Sequence, residues 1–304
     1  MTASTTIHIE KLVEVTSIKV EPTTLTVKIG KTAQIKATIE PSDATDKKIT
    51  WKSSAPSIAT VSQTGVVTGI KEGSATITAE ASNGVKATVA VTVEPNVTKY
   101  PAKFEKLKYD GMDYVLNVPD GATSNMPLIL FLHGDGEVGN VNAVQGLKQT
   151  QYAHGSKKFI FVAPVTKVYD WTASNIQNTV KGLVDKIVAD YKIDKKRIYI
   201  WGFSRGAIGT WAMVNRYTTF FAAAVPVSCC GGISGANFKT TPVYALAGGL
   251  ESNYIGCMQS NVNAINAAGG SAKMETVPGQ SHGTITANFP YEKVVDGWML
   301  KQHR

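Results

Sequence analysis

Three side chains, far apart along the chain, have the types and settings needed to turn a hydroxyl into a nucleophile. Ser204 sits in Gly202-Phe203-Ser204-Arg205-Gly206, directly after the apolar run Tyr199-Ile200-Trp201 and before a stretch with helical spacing. A strand that turns sharply into a helix holds such a serine in a strained, exposed position, and the flanking glycines are needed where side chains would collide. Serine is a weak nucleophile at neutral pH and requires a neighbouring base. His282, in Pro278-Gly279-Gln280-Ser281-His282-Gly283, follows a predicted strand over 272–277 and is the expected base. His8 and His303 lie near the termini, His154 sits in a polar turn, and His133 opens a different motif.

A carboxylate must then hold the imidazole in one tautomer and stabilise its cation. Between Ser204 and His282 the sequence contains only Glu251 and Glu275. Glu275 falls inside the strand predicted before His282. Glu251 follows the apolar run Val243 to Leu246 through Ala247-Gly248-Gly249-Leu250, where the order nucleophile, acid, base requires an acid. Charge developing on a carbonyl oxygen needs backbone N–H donors. The sequence points to Arg205 for one and to the loop His133-Gly134-Asp135-Gly136-Glu137 for the other, with Asp135 preferred over Gly134. His133 is expected to hold that loop and to border the substrate, and Trp171 to line the alcohol or acyl side. Glu137 either buttresses the loop or is an ordinary surface residue.

These residues need a scaffold that brings loop ends to one rim. Continuous apolar runs, Leu128 to Leu132, Phe159 to Ala163, Ile198 to Trp201, Ala222 to Val227 and Val243 to Leu246, suit strands buried on both faces. Helical periods lie between them: Ile176, Val180, Leu183, Val184, Ile187 and Val188 on one face, Ala207, Ile208, Trp211 and Ala212 on another. This alternation predicts a mostly parallel sheet covered by helices on both sides, preceded by strands over 104–109 and 112–118.

The first third of the chain is different. Of 25 aromatic residues only Trp51 precedes residue 99, and residues 1–98 contain no Arg, Tyr, Phe or Cys. From Val13 to Glu94 short runs alternate with period two, among them 17–20, 25–29, 33–39, 49–52, 59–61, 66–70, 75–79 and 87–93, separated by Gly, Pro, Asn or Asp. Such runs predict an antiparallel β-sandwich. The expected organisation is a loosely held lead-in over 1–12, a sandwich over 13–94, a stiff linker over 95–103 and an α/β domain over 104–304.

The formal charge of +8 divides unevenly: residues 1–98 carry ten Lys against nine Asp and Glu, and the remainder carries +7. The lysines are dispersed near predicted turns, which argues against nucleic acid as a partner and leaves an acidic polymer possible as substrate. No run approaches the ~18 apolar residues of a membrane span, and the first thirty residues lack the pattern of a signal peptide. Cys229, Cys230 and Cys257 lack zinc-ligand spacing. They read either as buried small hydrophobes or as one bridge from Cys257 to a member of the adjacent pair.

Residues 13–94 resemble bacterial immunoglobulin-like group 2 domains. The resemblance is carried by Ile18 to Pro22, Leu25 to Gly30, Pro41 to Ala44, Ile49 to Ser54, Ile58 to Val61, Gly65 to Gly69 and Gly73 to Ala79. It implies a spacer or adhesion module at a cell or phage surface, in contact with a surface or virion component. Residues 104–304 resemble α/β-hydrolase esterases related to polyhydroxybutyrate depolymerases and feruloyl or acetyl-xylan esterases. The carrying segments are Leu132 to Glu137, Ala163-Pro164 with Trp171, Tyr191 to Asp194 with Arg197 to Tyr199, Gly202 to Gly206 with Gly209 to Trp211, Ala224 to Val227, and Pro278-Gly279 with Ser281-His282.

That resemblance implies an extracellular serine esterase acting through an acyl-enzyme, without metal or organic cofactor, on acylated polysaccharide or aryl esters. A non-catalytic glycan-binding appendage and a peptidase of the same fold are the alternatives. Three features depart from the group. Glu251 replaces the usual Asp. Arg205 and Ala207 replace Met and Gly after the nucleophile, so that Arg205 either favours an anionic substrate or turns into a salt bridge. Cys229-Cys230 replaces a more glycine-rich turn and is expected to shape the pocket floor.

Overall fold

The computed structural model describes residues 11–95 and 98–304. The chain divides into two compact units, Met1–Asn96 and Val97–Arg304. Most of the expected lead-in, and residues 96–97 of the expected linker, lie outside the described residues.

The N-terminal unit contains β1 (Ser17–Glu21), β2 (Thr24–Lys28), β3 (Thr32–Gln34), β4 (Lys36–Glu40), β5 (Ile49–Ser53), β6 (Ala59–Val61), β7 (Val66–Gly69), β8 (Gly73–Ala81) and β9 (Lys86–Glu94). They form sheets of order β1-β4, β2-β9-β8-β5 and β3-β7-β6. Alternation puts Val89, Val91 and Val93 of β9 inside and the residues between them outside. With Ile35, Trp51, Ala59, Val67 and Ile77 they make one core. Trp51 is thus a packing residue, 6% exposed.

Two details differ from the pattern read in the sequence. The run 33–39 is broken at the buried Ile35, so β3 pairs with β7 while β4 pairs with β1. The pairing of β2 with β9 is parallel, so the sandwich is not purely antiparallel. Alternation fixes which face a residue takes but not which neighbour its strand chooses.

The C-terminal unit is built on one eight-stranded sheet of order β10-β11-β13-β12-β14-β15-β16-β17. Its strands are β10 (Lys103–Tyr109), β11 (Met112–Val118), β12 (Leu128–Leu132), β13 (Ile160–Val165), β14 (Ile198–Phe203), β15 (Ala223–Val227), β16 (Val243–Gly248) and β17 (Ala272–Val277). The first two are antiparallel and every pairing from β13 to β17 is parallel. Strands β12, β13, β15 and β16 are buried at every residue. Their alternate side chains feed two cores, Leu128, Leu130 and Leu132 on one face and Ile129 and Phe131 on the other. Each fully buried Leu or Ile contributes roughly 1.5–3 kcal/mol.

Helices α1 (Val141–Gly146), α2 (Lys148–Gly155), α3 (Ser174–Asp190), α4 (Arg205–Arg216) and α5 (Ser252–Ala267) connect these strands. Helix α3 buries Val180, Leu183, Val184, Ile187 and Val188 of the face its periodicity predicts, with Ile176 only half-buried and Gln177 buried in addition. Helix α4 buries the expected Ala207 and Trp211, but the expected Ile208 and Ala212 are only half-buried, and Gly206, Gly209, Thr210, Met213 and Val214 are buried instead. It is covered laterally by Trp171 and by Phe238, 5.8 Å from Trp211. The linker read over 95–103 is shorter at its C-terminal end. Thr98 and Tyr100 hydrogen-bond to Ser124 and Ala122, and the Tyr100 and Tyr191 rings lie 5.1 Å apart.

Among the described residues no helix is long and apolar enough to cross a membrane.

Candidate active site

Register places the site. Leu132 pairs with Gly202, Phe203 with Val227, and Gly248 with Val277. The strands β12, β14, β15, β16 and β17 therefore end along one line. The segments beginning at His133, Ser204, Ser228, Gly249 and Pro278 all leave the carboxyl edge of the sheet, where ligands of open α/β sheets bind.

Ser204 stands between β14 and α4 with φ +54° and ψ −120°. A non-glycine residue in that region is strained and persists only because its surroundings impose it. Its surroundings are unusually close. A Cβ on Gly202 would lie 2.1 Å from the Gly206 carbonyl oxygen, and one on Gly206 would lie 1.9 Å from the Leu132 carbonyl oxygen. The two glycines let helix, elbow and neighbouring strand meet.

The Ser204 Oγ lies 2.8 Å from His282 Nε2, and His282 Nδ1 lies 2.6 Å from Glu251 Oε1. A carboxylate only accepts, so the Nδ1 carries the proton and the Nε2 lone pair faces the serine. Glu251 is buried, with 3% of its side chain exposed, whereas His282 is 39% exposed. Burial of a carboxylate is costly unless its oxygens are bonded. Here Oε2 accepts from Ser228 Oγ and the Gly248 N–H, both at 2.5 Å. The imidazole is flanked by Phe203 and Tyr254, with ring centroids 5.0 and 5.3 Å away. Glu275, set aside as lying within a strand, is in β17 and bonds Tyr244 and Lys293 instead.

The loop after β12 packs beneath the serine. A Cβ on Gly134 would touch the Ser204 Cβ at 3.4 Å. His133 is fully buried; its Nε2 accepts from the Thr166 N–H at 3.2 Å, so its Nδ1 donates to the Gly134 carbonyl at 2.6 Å. Burial pushes the His133 pKa down, which keeps the ring neutral. Burial pushes the Glu137 pKa up, opposed by the nearby backbone N–H groups of Gly134 and Glu137 itself. Among the described residues none of the Gly134, Asp135 and Arg205 N–H groups has a protein acceptor. The Arg205 side chain pairs with the Asp135 carboxylate and donates to the Tyr169 carbonyl at 2.9 Å.

Burial corrects the expectation that Trp171 and His133 line the substrate. Trp171 is 2% exposed, and its Nε1 donates to the His133 carbonyl at 3.1 Å. Both rings support the loop from behind. Tyr169, two residues before Trp171, is the exposed aromatic of that segment, at 60%. The cysteines are also more ordered than the buried-thiol reading has it: Cys230 and Cys257 form a disulfide and Cys229 is free. Sequence reasoning missed Ser228, Phe203 and Tyr254. Ser228 directly follows β15 at the carboxyl edge, and its φ of +58° marks a special turn that sequence does not announce.

No group of three or more His, Cys, Asp or Glu suited to a metal occurs among the described residues. The arrangement can transfer a proton from Ser204 to His282.

Residues 14–93 match the family model for the bacterial Ig-like domain (group 2), so the N-terminal unit is such a domain. The C-terminal unit has the α/β-hydrolase fold, the fold of serine esterases. Across 95% of this chain and all of its own, a thermostable esterase of known structure superposes with a TM-score of 0.52 at 17% identity. The chain is 30% identical over 138 residues to a bifunctional acetylxylan esterase/xylanase from Neocallimastix patriciarum, covering 44% of this chain and 20% of that protein. It is 27% identical over 153 residues to poly(3-hydroxyalkanoate) depolymerase C from Paucimonas lemoignei, covering 46% and 34%. A further match, 43% identical over 97 residues, is to an alpha-L-arabinofuranosidase from Bifidobacterium longum subsp. longum, covering 32% and 9%. The chain thus spans about a third or less of these relatives.

Proposed function

We propose that the C-terminal unit is a serine carboxylic-ester hydrolase that works through Ser204, His282 and Glu251. The observation that carries this reading is the continuous hydrogen-bonded line from the strained Ser204 through His282 to the buried Glu251. Ser204 Oγ attacks the ester carbonyl as His282 Nε2 takes its proton, and Glu251 holds the opposite nitrogen and stabilises the imidazolium. The Arg205 and Asp135 N–H groups receive the oxyanion. His282 then protonates the departing alkoxide, leaving an acyl-serine. Water, deprotonated by the same imidazole, attacks the acyl-serine, and the acid is released with Ser204 restored.

The substrate class proposed is acylated polysaccharide or a related aryl ester. Support comes from the likeness to the acetylxylan esterase/xylanase and from Tyr169, which contacts Arg205 and is 60% exposed, with Leu250, adjacent to Glu251 in sequence, 68% exposed. Exposed aromatic and apolar side chains beside a nucleophile suit sugar or aryl rings. The Ig-like unit is proposed to hold the enzyme at a cell or phage surface that bears such polymers. Acid release from acetylated xylan and from other acylated surface polysaccharides, with parent and Ser204→Ala proteins, tests this reading. Release by the parent alone is expected. Equal release by both would overturn the assignment.

A further inference from the structure

We propose that the Arg205 side chain is a positioning group that sets the spacing of the oxyanion site. The inference rests on the hydrolase reading above, because the site it tunes is the one assigned there. The two residues assigned above as the N–H donors, Arg205 and Asp135, are joined through their own side chains. Arg205 Nε and Nη2 both meet the Asp135 carboxylate, the second at 3.1 Å. Two parallel N–H to oxygen bonds fix orientation as well as distance. The same guanidinium donates through Nη1 to the Tyr169 carbonyl and lies 5.9 Å from the Tyr169 ring. One side chain therefore ties the elbow to the two neighbouring loops.

The other ties of the oxyanion loop lie at its ends. His133 and Trp171 hold its beginning through the Gly134 and His133 carbonyls. Its far end is held by the bond from Gly139 N–H to the Thr166 carbonyl. At Asp135 itself the backbone bond is the long one, from Val138 N–H at 3.4 Å. The ion pair is the tie nearest the donor.

Its exposure defines its role. Arg205 and Asp135 side chains are 37% and 48% exposed, and surface pairs of this kind add little to fold stability. Geometry in an oxyanion site is more sensitive, since losing one donor outright lowers turnover by roughly 10²–10³-fold. Because Asp135 already neutralises it, Arg205 is committed to the loop and is not free to receive an anionic substrate.

The test is a double-mutant cycle with Arg205→Met and Asp135→Asn, both of which keep their backbone N–H groups. Neutral p-nitrophenyl acetate and an ester of a dicarboxylic acid serve as substrates. Each single variant should lose roughly tenfold in kcat on both esters, with KM changed less than about twofold. The double variant should be no worse than either single, Arg205→Lys should recover part of the loss, and melting temperatures should stay close to the parent. Parent-like kcat in both single variants, or losses that multiply in the double variant, would overturn the clamp. So would a loss confined to the anionic ester, which would make Arg205 a substrate-recognition group. Hydrolysis that survives Ser204→Ala would sink the hydrolase reading and the clamp with it, a result distinct from a dead Ser204→Ala beside a fully active Arg205→Met.

Discussion

Glu251 and Ser228 share a hydrogen bond of 2.5 Å, and through it the acid of the site is held to a second strand end. The acid is a glutamate, longer by one methylene than the aspartate that the resemblance to α/β-hydrolase esterases implies. It sits immediately before α5, and its carboxylate folds back so that one oxygen takes Gly248 N–H and Ser228 while the other takes His282.

This geometry predicts that Glu251→Gln lowers kcat on p-nitrophenyl acetate by roughly 10³-fold or more, because the amide favours the wrong histidine tautomer. KM should change little. Ser228→Ala removes one bond to a buried charge, worth about 1.5–3 kcal/mol. It should reduce both activity and melting temperature, and steady-state kinetics with thermal melts of the two variants checks both statements.

Backbone closeness at the elbow makes a second prediction. An alanine methyl at Gly206 would overlap the Leu132 carbonyl, so Gly206→Ala should cost about 3 kcal/mol or more and abolish activity together with fold. At Gly146 an added Cβ meets nothing within 4 Å. There Gly146→Ala should change stability by no more than about 1 kcal/mol. Urea denaturation of both variants provides the comparison.

The disulfide ties the segment after β15, which carries Ser228, to α5, which Glu251 precedes. It closes a separation of 27 residues, for which loop-closure entropy gives about 3–4 kcal/mol. Replacement of Cys230 and Cys257 by serine should lower the melting temperature, and reduction of the parent should do the same. Addition of reductant to the double variant should then have no further effect.

Acid should destabilise the C-terminal unit through His133. Its pKa in the fold lies below the ordinary 6.5 because burial disfavours the cation, so the unfolded chain binds the proton first. Stability from this group is complete above about pH 6.5 and falls as pH drops through the depressed folded value. A His133→Gln variant should show a smaller loss of melting temperature between pH 7 and pH 5 than the parent. An equal loss in both proteins would contradict this account.

The sequence carries the site's essentials because they depend on chain order and local chemistry. The limits of β17 coincide with the run read as a strand, and Glu251 emerges by elimination because Glu275 lies in that strand. What was not legible depends on meetings between distant segments. Trp171 and Tyr169 lie in one loop, and only tertiary packing decides that the first is buried and the second exposed. The partner of Cys257, the break at Ile35 and the parallel pairing of β2 with β9 are likewise choices among neighbours that alternation and spacing leave open. Arg205 was readable as a charge beside the nucleophile; that it grips Asp135 was one of two outcomes the sequence allowed.

The central claim is that Ser204 Oγ is made reactive by His282. Labelling with a fluorophosphonate, followed by intact mass and peptide mapping, tests it most directly. The account predicts one adduct per chain, located on Ser204, absent from Ser204→Ala and formed far more slowly by His282→Ala. A parent protein that takes up no label, or carries it on another residue, would contradict it.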